Sequence, residues 1–206
     1  MADKNRLPQH IAIIPDGNRR WAKKRGLLPW KGHLRVAGRI EEIAHAAVDL
    51  GIKYLTVWGG SYDNLTKRSK KEIFILNRVY RELTEKLLRD QDVHQKQIRV
   101  RFIGEWQKLL NKKTVELMRR AETATRSYDR YHHTYLIGYN GDREMMDALN
   151  NLLKSGVKRV TPDMLKSYLW TAELPPVDLV IRTGDEPHLS AGFMMWDIRD
   201  AQLYFS

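Results

Sequence analysis

The sequence predicts an α/β fold: one domain with a central, mainly parallel sheet of about six strands and helices on both faces. Short apolar segments that are typical of buried strands alternate with longer segments whose apolar residues recur every three or four positions. No internal repeat, low-complexity tract or long linker interrupts the 206 residues, and this length suits a single hydrophobic core. We therefore expect one domain over residues 1–206, with residues 1–8 flexible.

The first half of the chain is predicted to hold three strands and two long helices. The strands cover residues 11–14, 54–58 and 98–103. The first helix presents apolar residues at steps of four and three before a glycine ends it: Val36, Ile40, Ile43, Ala47 and Leu50, then Gly51. Ser69 and Glu72 match a capping box, so the second helix is expected to begin there.

The second half continues the same alternation. Two helices and two strands are predicted, the helices over residues 111–126 and 144–153 and the strands over 135–137 and 177–181. Thr161 is a predicted helix N-cap because Pro162 follows it at the first helical position. A last strand is predicted to begin at residues 194–196.

The alternation also predicts where chemistry should occur. Ligands of open α/β sheets bind beyond the carboxyl ends of the strands. Four segments follow predicted strands directly and are therefore candidates: residues 15–21, 59–68, 138–143 and 182–192.

Composition narrows the classes of function. The chain has no cysteine, which excludes disulfides, thiolate metal sites and cysteine nucleophiles. No apolar stretch approaches the roughly 20 residues of a membrane span, so we expect a cytoplasmic protein. The net charge of +11 favours anionic partners. Nucleic acid is disfavoured, because the basic residues are spread over several helices rather than interleaved with aromatic residues on one sheet.

The first candidate segment, residues 15–21, is rich in groups that bind phosphate. It contains one carboxylate, a glycine, an amide and two guanidinium groups: Asp16, Gly17, Asn18, Arg19 and Arg20. Glycine allows close approach of a ligand to the backbone, arginine binds diphosphate oxygens in a bidentate manner, and a carboxylate can hold Mg²⁺. The alternative is an Asp-Gly turn with solvated arginines, and composition does not choose between them.

The other segments carry weaker signals. Residues 61–68 are also consistent with a polar turn before a capped helix, whereas residues 182–190 combine cationic, acidic, imidazole and hydroxyl groups. His33 is predicted at a helix start, where it could donate to phosphate or simply lie on the surface. His132 and His133 are adjacent on a strand and point to opposite faces, so they do not form a metal pair.

Residues 10–24 closely resemble the first signature of cis-prenyltransferases, the undecaprenyl diphosphate synthase family. Later motifs occur in the same order: Gly32-His33, residues 61–73, residues 139–143, residues 176–184 and Leu203-Tyr204-Phe205. The sequence of residues 182–188 resembles that of an archaeal-type variant of the family. The resemblance implies a mainly parallel sheet of about six strands with helices around a hydrophobic tunnel.

The resemblance also implies a reaction. An allylic diphosphate loses its diphosphate with the help of Mg²⁺, and its carbon chain is joined to isopentenyl diphosphate to give a Z double bond. Asp16 and Asn18 would be catalytic. The allylic diphosphate would be bound by Gly17, Arg19, Arg20, His33 and Arg68. The second diphosphate would be bound by Arg182, His188 and Ser190. Trp21, Ser61 and Asn64 complete the implied site.

Departures from the family pattern are concentrated on the second-substrate side. Where the family usually has arginine, glycine and a second arginine, this chain has Pro29, Val36 and His188. One extra residue precedes Arg68, another follows Ser190, and the chain ends before the tail that most members have.

Gln202 stands where a glutamate usually helps to hold Mg²⁺. Because glutamine is neutral, metal affinity is expected to fall and to depend more on the substrate diphosphate.

These departures leave two alternatives to ordinary elongation. One is an irregular prenyltransferase that joins two allylic diphosphates such as dimethylallyl diphosphate. The other is a non-catalytic partner subunit of a heteromeric enzyme, although the intact first motif argues against it. The resemblance implies a homodimer, with a heteromer as the alternative, and a peripheral membrane contact for product release.

Overall fold

The computed structural model of the protein describes residues 7–206, and within them six strands form one parallel sheet in the order β3-β4-β2-β1-β5-β6. The strands are β1 (His10–Ile14), β2 (Tyr54–Gly60), β3 (Ile98–Ile103), β4 (Tyr131–Ile137), β5 (Leu179–Arg182) and β6 (Gln202–Phe205). Every neighbouring pair is parallel, which confirms the predicted fold class. The expected flexibility of the N-terminus falls mostly on residues 1–6, which lie outside the described residues.

Nine helices connect and cover the strands over the same described part of the chain. They are α1 (Asn18–Lys23), α2 (Pro29–Asp49), α3 (Tyr62–Thr66), α4 (Lys70–Arg89), α5 (Gln91–Gln95), α6 (Trp106–Leu109), α7 (Lys112–Thr125), α8 (Gly141–Lys154) and α9 (Pro162–Tyr168). None of the helices in residues 7–206 combines the length and apolarity needed to cross a membrane.

The apolar residues form two cores, one on each face of the sheet. Helices α2, α4 and α7 supply most of the helical residues of the first core, which packs on alternate residues of the strands, such as Leu55, Val100 and Tyr135. The second core lies on the opposite face and includes Leu136 and Phe193. A sheet covered on both faces is the arrangement that near-continuous apolar strands require.

The strand order places one crevice where a ligand is expected. The chain passes from β1 to β2 on one side of β1, whereas β5 pairs with β1 on the other side. The strand order therefore changes direction between β1 and β5, and the loops that follow these strands diverge at a topological switch point. Two of the four candidate segments, residues 15–21 and 182–192, meet there.

The predicted last strand at residues 194–196 is wrong. Phe193 and Met194 are fully buried, but they lie in a series of turns, and Met194 has a φ of 42°. The last strand is β6, which begins at Gln202. A short apolar run cannot be distinguished from a buried turn by periodicity alone, which explains the error.

The predicted capping box at Ser69 forms only in part. The Ser69 hydroxyl accepts from the Glu72 backbone N–H at 3.3 Å, but it also donates to the Glu72 carboxylate, which therefore does not cap the Ser69 backbone. A complete capping box lies earlier, at Ser61 and Asn64. The remaining predicted elements are confirmed with shifted ends; the first long helix, for example, begins at Pro29.

Candidate active site

The loops after β1 and β5 cross at two glycines. Gly17 has a φ of 82° and Gly184 a φ of 103°. A Cβ atom on Gly17 would lie 2.9 Å from the Gly184 Cα atom, and one on Gly184 would lie 2.8 Å from the Gly17 nitrogen. Only glycine permits this approach, which brings the side chains on either side of each glycine into one cluster.

An ion pair between Asp16 and Arg182 lies at the centre of this cluster. The Arg182 Nη2 atom donates to Asp16 Oδ2 at 2.6 Å, and the arginine side chain is only 1% exposed. The second carboxylate oxygen of Asp16 accepts from the Gly17 N–H at 2.6 Å. A buried guanidinium group needs such a partner, because an unpaired buried charge is costly. Arg182 therefore fixes the position of the Asp16 carboxylate.

Ser190 and His188 surround the same guanidinium group. Arg182 Nη1 donates to Ser190 Oγ at 2.9 Å and to the His188 carbonyl at 2.5 Å. The His188 imidazole lies 3.3 Å from Ser190 Oγ and 3.4 Å from Arg182 Nη2. The three residues predicted to bind the second diphosphate are thus in mutual contact.

The first turn of α1 contributes two arginines that differ in their pairing. Arg20 forms an ion pair with Glu186, and its other terminal nitrogen lies 3.9 Å from Asp16. Arg19 is 55% exposed and makes only a 3.5 Å contact with Glu72. Asn18 donates to the Pro15 carbonyl at 2.6 Å and so closes the loop before the helix. Of the two guanidinium groups, Arg19 is the more available to an anion.

His33 and Arg68 contact each other on the opposite side of the opening. Arg68 Nη1 lies 3.2 Å from His33 Nε2. Burial, with Arg68 as the next cause, lowers the pKa of His33 to about 4. The imidazole is therefore neutral at pH 7, and since arginine can only donate, Nε2 is the acceptor and Nδ1 carries the proton. The Nδ1–H group of His33 can therefore donate a hydrogen bond to an anion.

Ser61 and Asn64 lie at the end of β2 and line the same opening. Ser61 Oγ accepts from the Asn64 N–H at 3.0 Å, so the capping box holds both residues in place at the start of α3. Trp21, in contrast, is not part of the opening. Arg25 and Arg35 lie over its ring, 4.5 and 4.7 Å from the centroid. Trp21 therefore belongs to the packing between α1 and α2.

Most of these residues line the mouth of a cavity of about 1010 Å³. Beyond the polar mouth, the cavity runs between the sheet and helices α2 and α4, where most lining residues are apolar: Val36, Ile40, Ala44, Val57, Leu76, Val79, Leu83, Leu87, Val93, Ile98, Phe102 and Ile137. Such a space accepts a molecule with an anionic end and a long apolar body. Three predicted site residues besides Trp21 lie outside the lining: Arg182, His188 and Gln202.

Gln202 does not lie beside Asp16 within this chain. It is the first residue of the edge strand β6 and pairs with Leu179, whereas Arg182 pairs with Phe205. It is therefore three residues, or about 10 Å, further from the site along the sheet than Arg182. This register separates Gln202 from Asp16 within one chain, and a contribution of Gln202 to metal binding stays a prediction.

Two carboxylates in the site were not predicted as site residues. Glu186 pairs with Arg20 and lies 3.6 Å from Arg182, and Glu72 contacts Arg19. Glu186 falls in a segment that the strand-end rule selects, so its position after β5 was an available signal. Glu72 was explained by helix capping alone, and no sequence pattern links it to Arg19.

Buried neutral histidines should make stability depend on pH. Burial lowers the pKa of His133 to about 3 and that of His33 to about 4, both below the 6.5 of an unfolded chain. Between these values the unfolded state binds more protons, so stability falls as the pH drops below 6.5. We expect each histidine to cost about 2 kcal/mol of unfolding free energy at pH 5 relative to pH 7.

Urea unfolding curves at pH 5, 6, 7 and 8 would measure this effect. The His133→Leu variant is the control, and its difference in unfolding free energy between pH 5 and pH 7 should be smaller by about 2 kcal/mol. A midpoint that does not fall between pH 7 and pH 5 would contradict the prediction.

Comparison with known proteins identifies the family. Residues 14–206 match the family model described as "Putative undecaprenyl diphosphate synthase". A tritrans,polycis-undecaprenyl-diphosphate synthase (geranylgeranyl-diphosphate specific) of Pyrococcus abyssi is 40% identical over 97% of this chain and 76% of its own length. An isoprenyl transferase of Thermotoga maritima is 36% identical over 97% of this chain and 85% of its own.

A solved structure agrees with these sequence relatives. The lavandulyl diphosphate synthase of Lavandula x intermedia, in complex with dimethylallyl diphosphate, superimposes with a TM-score of 0.86 and 29% identity, covering 97% of this chain and 86% of the other. The resemblance seen in the first motif thus extends over the whole described fold. The chain belongs to the undecaprenyl diphosphate synthase family of cis-prenyltransferases and is a prenyltransferase, an enzyme that transfers alkyl groups other than methyl.

Proposed function

We propose that the protein condenses an allylic prenyl diphosphate with isopentenyl diphosphate, in the presence of Mg²⁺, to give a Z-configured polyprenyl diphosphate. The observation that carries this proposal is a mouth rich in cations that opens into an apolar cavity of about 1010 Å³. The names of several relatives suggest geranylgeranyl diphosphate as the allylic substrate. The apolar cavity would then serve as the tunnel for the growing chain.

In this proposal the allylic diphosphate lies between α1 and the His33–Arg68 pair. Arg19 and Arg68 supply charge, and His33 donates from Nδ1. Breaking the allylic C–O bond builds negative charge on the departing diphosphate, and fixed cations stabilise that charge more in the transition state than in the bound substrate. The allylic carbon then bonds to isopentenyl diphosphate, which loses a proton.

The second diphosphate is proposed to bind near Arg182, Ser190 and His188. Within residues 7–206, the buried Nε atom of Arg182 has no hydrogen-bond partner, although both terminal nitrogens are engaged. A diphosphate oxygen that accepts from Nε would leave the Asp16 pair intact, and it would require the buried Nε to become accessible on binding. His188 is 55% exposed and can turn toward the same anion.

The residues at the mouth fit a magnesium ion that is held mainly by substrate. Mg²⁺ commonly binds one or two carboxylates together with substrate phosphates. Asp16 and Glu186 contact the same atom, Arg182 Nη2, at 2.6 and 3.6 Å, so both carboxylates lie at this end of the site. Asp16 would hold the ion, with Glu186 as a second ligand. When bound, the ion would neutralise charge on the leaving diphosphate.

A product assay tests the proposal. The purified protein is incubated with Mg²⁺ and geranylgeranyl, farnesyl or dimethylallyl diphosphate, each with and without isopentenyl diphosphate, and extracted products are identified by mass spectrometry and NMR. We expect Z-configured chains that lengthen only when isopentenyl diphosphate is present. Absence of any product under every pairing would refute the proposal.

The irregular reaction is the second candidate. Its support is the overlap with a lavandulyl diphosphate synthase bound to dimethylallyl diphosphate, together with the altered residues around Arg182. Products formed from allylic diphosphates alone would favour it over elongation. The homodimer, the cytoplasmic location and the membrane contact stay predictions.

A further inference from the structure

Backbone strain is concentrated in the loop that follows β5 and carries Ser190. In the described part of the chain, four residues other than glycine have a positive φ, and three of them lie in this loop. They are Asp185 (58°), Ala191 (51°) and Met194 (42°). Aspartate tolerates the left-handed region because its short side chain can hydrogen bond locally, whereas alanine and methionine have no such compensation. Strain of this kind persists only where the surrounding structure imposes it, and it clusters at binding sites.

Ala191 and Gly192 form the centre of a tight turn. The Phe193 N–H donates to the Ser190 carbonyl at 3.0 Å, and the two central residues have positive φ angles of 51° and 60°. This is the pattern of a type I′ turn, in which glycine, asparagine and aspartate are the favoured central residues. Glycine meets this preference at the second central position, but alanine does not meet it at the first. The side chain at position 191 therefore opposes the turn that the chain adopts.

Contacts outside the turn hold it in this conformation. The Gly141 N–H, at the start of α8, donates to the Ala191 carbonyl at 2.8 Å. A Cβ atom on Gly141 would lie 1.8 Å from the Gly192 carbonyl oxygen, so the helix and the turn pack backbone against backbone. Phe193 is fully buried, and its ring centroid lies 6.1 Å from that of Trp58. The folded core thus imposes the strained conformation on Ala191.

The turn determines the direction of the Ser190 hydroxyl. Ser190 is the first residue of the turn, and its Oγ atom accepts from Arg182 Nη1 at 2.9 Å. Phe193, the last residue of the turn, lies in the second core. A change of φ at residue 191 rotates the chain before it relative to the chain after it. With Phe193 held in the core, a relaxed Ala191 would therefore move Ser190 away from Arg182.

We propose that the left-handed conformation of Ala191 positions Ser190 for the second diphosphate. Residue 191 then determines the affinity for this substrate through its backbone conformation, and Ala191 is a positioning residue because it acts through Ser190. The inference rests on the proposed function, in which Arg182 and Ser190 bind the second diphosphate. It extends the site to a residue whose side chain has no polar atom.

Substitutions at position 191 separate conformation from size, which matters because Ala191 also lines the cavity. Asparagine is larger than alanine but adopts a positive φ readily. Ala191→Asn should therefore raise the melting temperature by about 2 °C and leave substrate affinity unchanged. Valine is branched at Cβ and strongly disfavours a positive φ, so Ala191→Val should favour the relaxed turn.

Gln97→Val is the matched control for strain at a distant position. Gln97 also has a positive φ, of 53°, and it directly precedes β3, at the end of the parallel sheet opposite to the site. This substitution should lower the melting temperature as Ala191→Val does, but it should not affect substrate binding.

The experiment measures binding without turnover. Isopentenyl diphosphate is titrated calorimetrically, with Mg²⁺, into protein saturated with geranylgeranyl thiolodiphosphate, an analogue that resists loss of its diphosphate. Ala191→Val should weaken this binding by about tenfold, the loss expected when a hydrogen bond to a charged group is removed. The affinity for the thiolodiphosphate should stay the same in every variant. Gly192→Ala opposes the same turn at its other central position and should repeat the effect, so the result does not depend on whether Ala191→Val folds.

Three results would overturn the inference. The first is equal weakening by asparagine and by valine at position 191, because it would indicate obstruction by size. The second is unchanged affinity for isopentenyl diphosphate in folded Ala191→Val or Gly192→Ala. The third is equal weakening by Gln97→Val, because it would indicate a general loss of stability. A wild type that binds the thiolodiphosphate but no isopentenyl diphosphate would refute the proposed elongation as well, and this failure is distinguishable because it is seen without any variant.

Discussion

Replacing Asp16 with asparagine is expected to reduce the rate of prenyl transfer by about 10³-fold. The carboxylate is fixed by Arg182 and by the Gly17 N–H, and it is the proposed ligand for the metal ion. Asparagine preserves the shape but removes the charge. The variant should also lose about 2 kcal/mol of unfolding free energy, because the buried Arg182 retains, among the described residues, only Glu186 as an acidic partner, at 3.6 Å. Single-turnover kinetics and urea unfolding measure the two effects.

The double variant Asp16→Asn, Arg182→Met tests the stability effect by itself. Methionine removes the buried charge, so much of the lost unfolding free energy should return. Its activity does not bear on Asp16, because Arg182 is itself proposed to bind the second diphosphate. An active single variant would contradict the catalytic role altogether.

The second large effect is expected from Gly32→Ala in α2. A Cβ atom on Gly32 would lie 2.1 Å from the Asn18 carbonyl oxygen, so α1 and α2 could not keep their present contact. Residues 16–20 would move with α1, and a displacement of about 1 Å at a catalytic group can cost 10²-fold in rate. We expect a loss of about that size, measured as kcat/KM, together with a lower unfolding midpoint.

Gly38→Ala is the matched control in the same helix. Apart from the backbone of the helix itself, no atom of residues 7–206 lies within 4 Å of a Cβ at this position, so the substitution should stabilise the protein by about 0.5–1 kcal/mol through helix propensity and leave activity intact. If both variants behaved alike, the close approach of α1 and α2 at Gly32 would not matter for the site.

The rule that ligands bind beyond strand ends selected, from sequence, the segments that form the candidate site. Residues 15–21 and 182–192 were selected because each follows an apolar strand, and they meet in the structure. The ion pair between Asp16 and Arg182 could not be predicted, since 166 residues separate the partners and only the pairing of β1 with β5 joins them. Periodicity predicts which residues are buried, but it does not determine strand order.

Three other positions show what a motif alone does not predict. Gln202 was assigned to the site because it occupies a motif position, whereas strand register places it at the other end of β5 and β6. Trp21 was included for its motif, but its ring packs between two arginines. His133 was rejected as a metal ligand from its position on a strand, and the lack of a hydrogen-bond partner became apparent only from the packed surroundings.

The crossing of Gly17 and Gly184 has a consequence for how the protein becomes active. The contact joins two residues that are separated by most of the sequence, so forming it has a large cost in loop-closure entropy. The same separation gives the site a high contact order. During synthesis, the first motif leaves the ribosome long before its counterpart exists. The N-terminal strands and helices can begin to pack early, but the catalytic pair forms only after β5 has inserted beside β1. Activity should therefore be among the last properties acquired during folding.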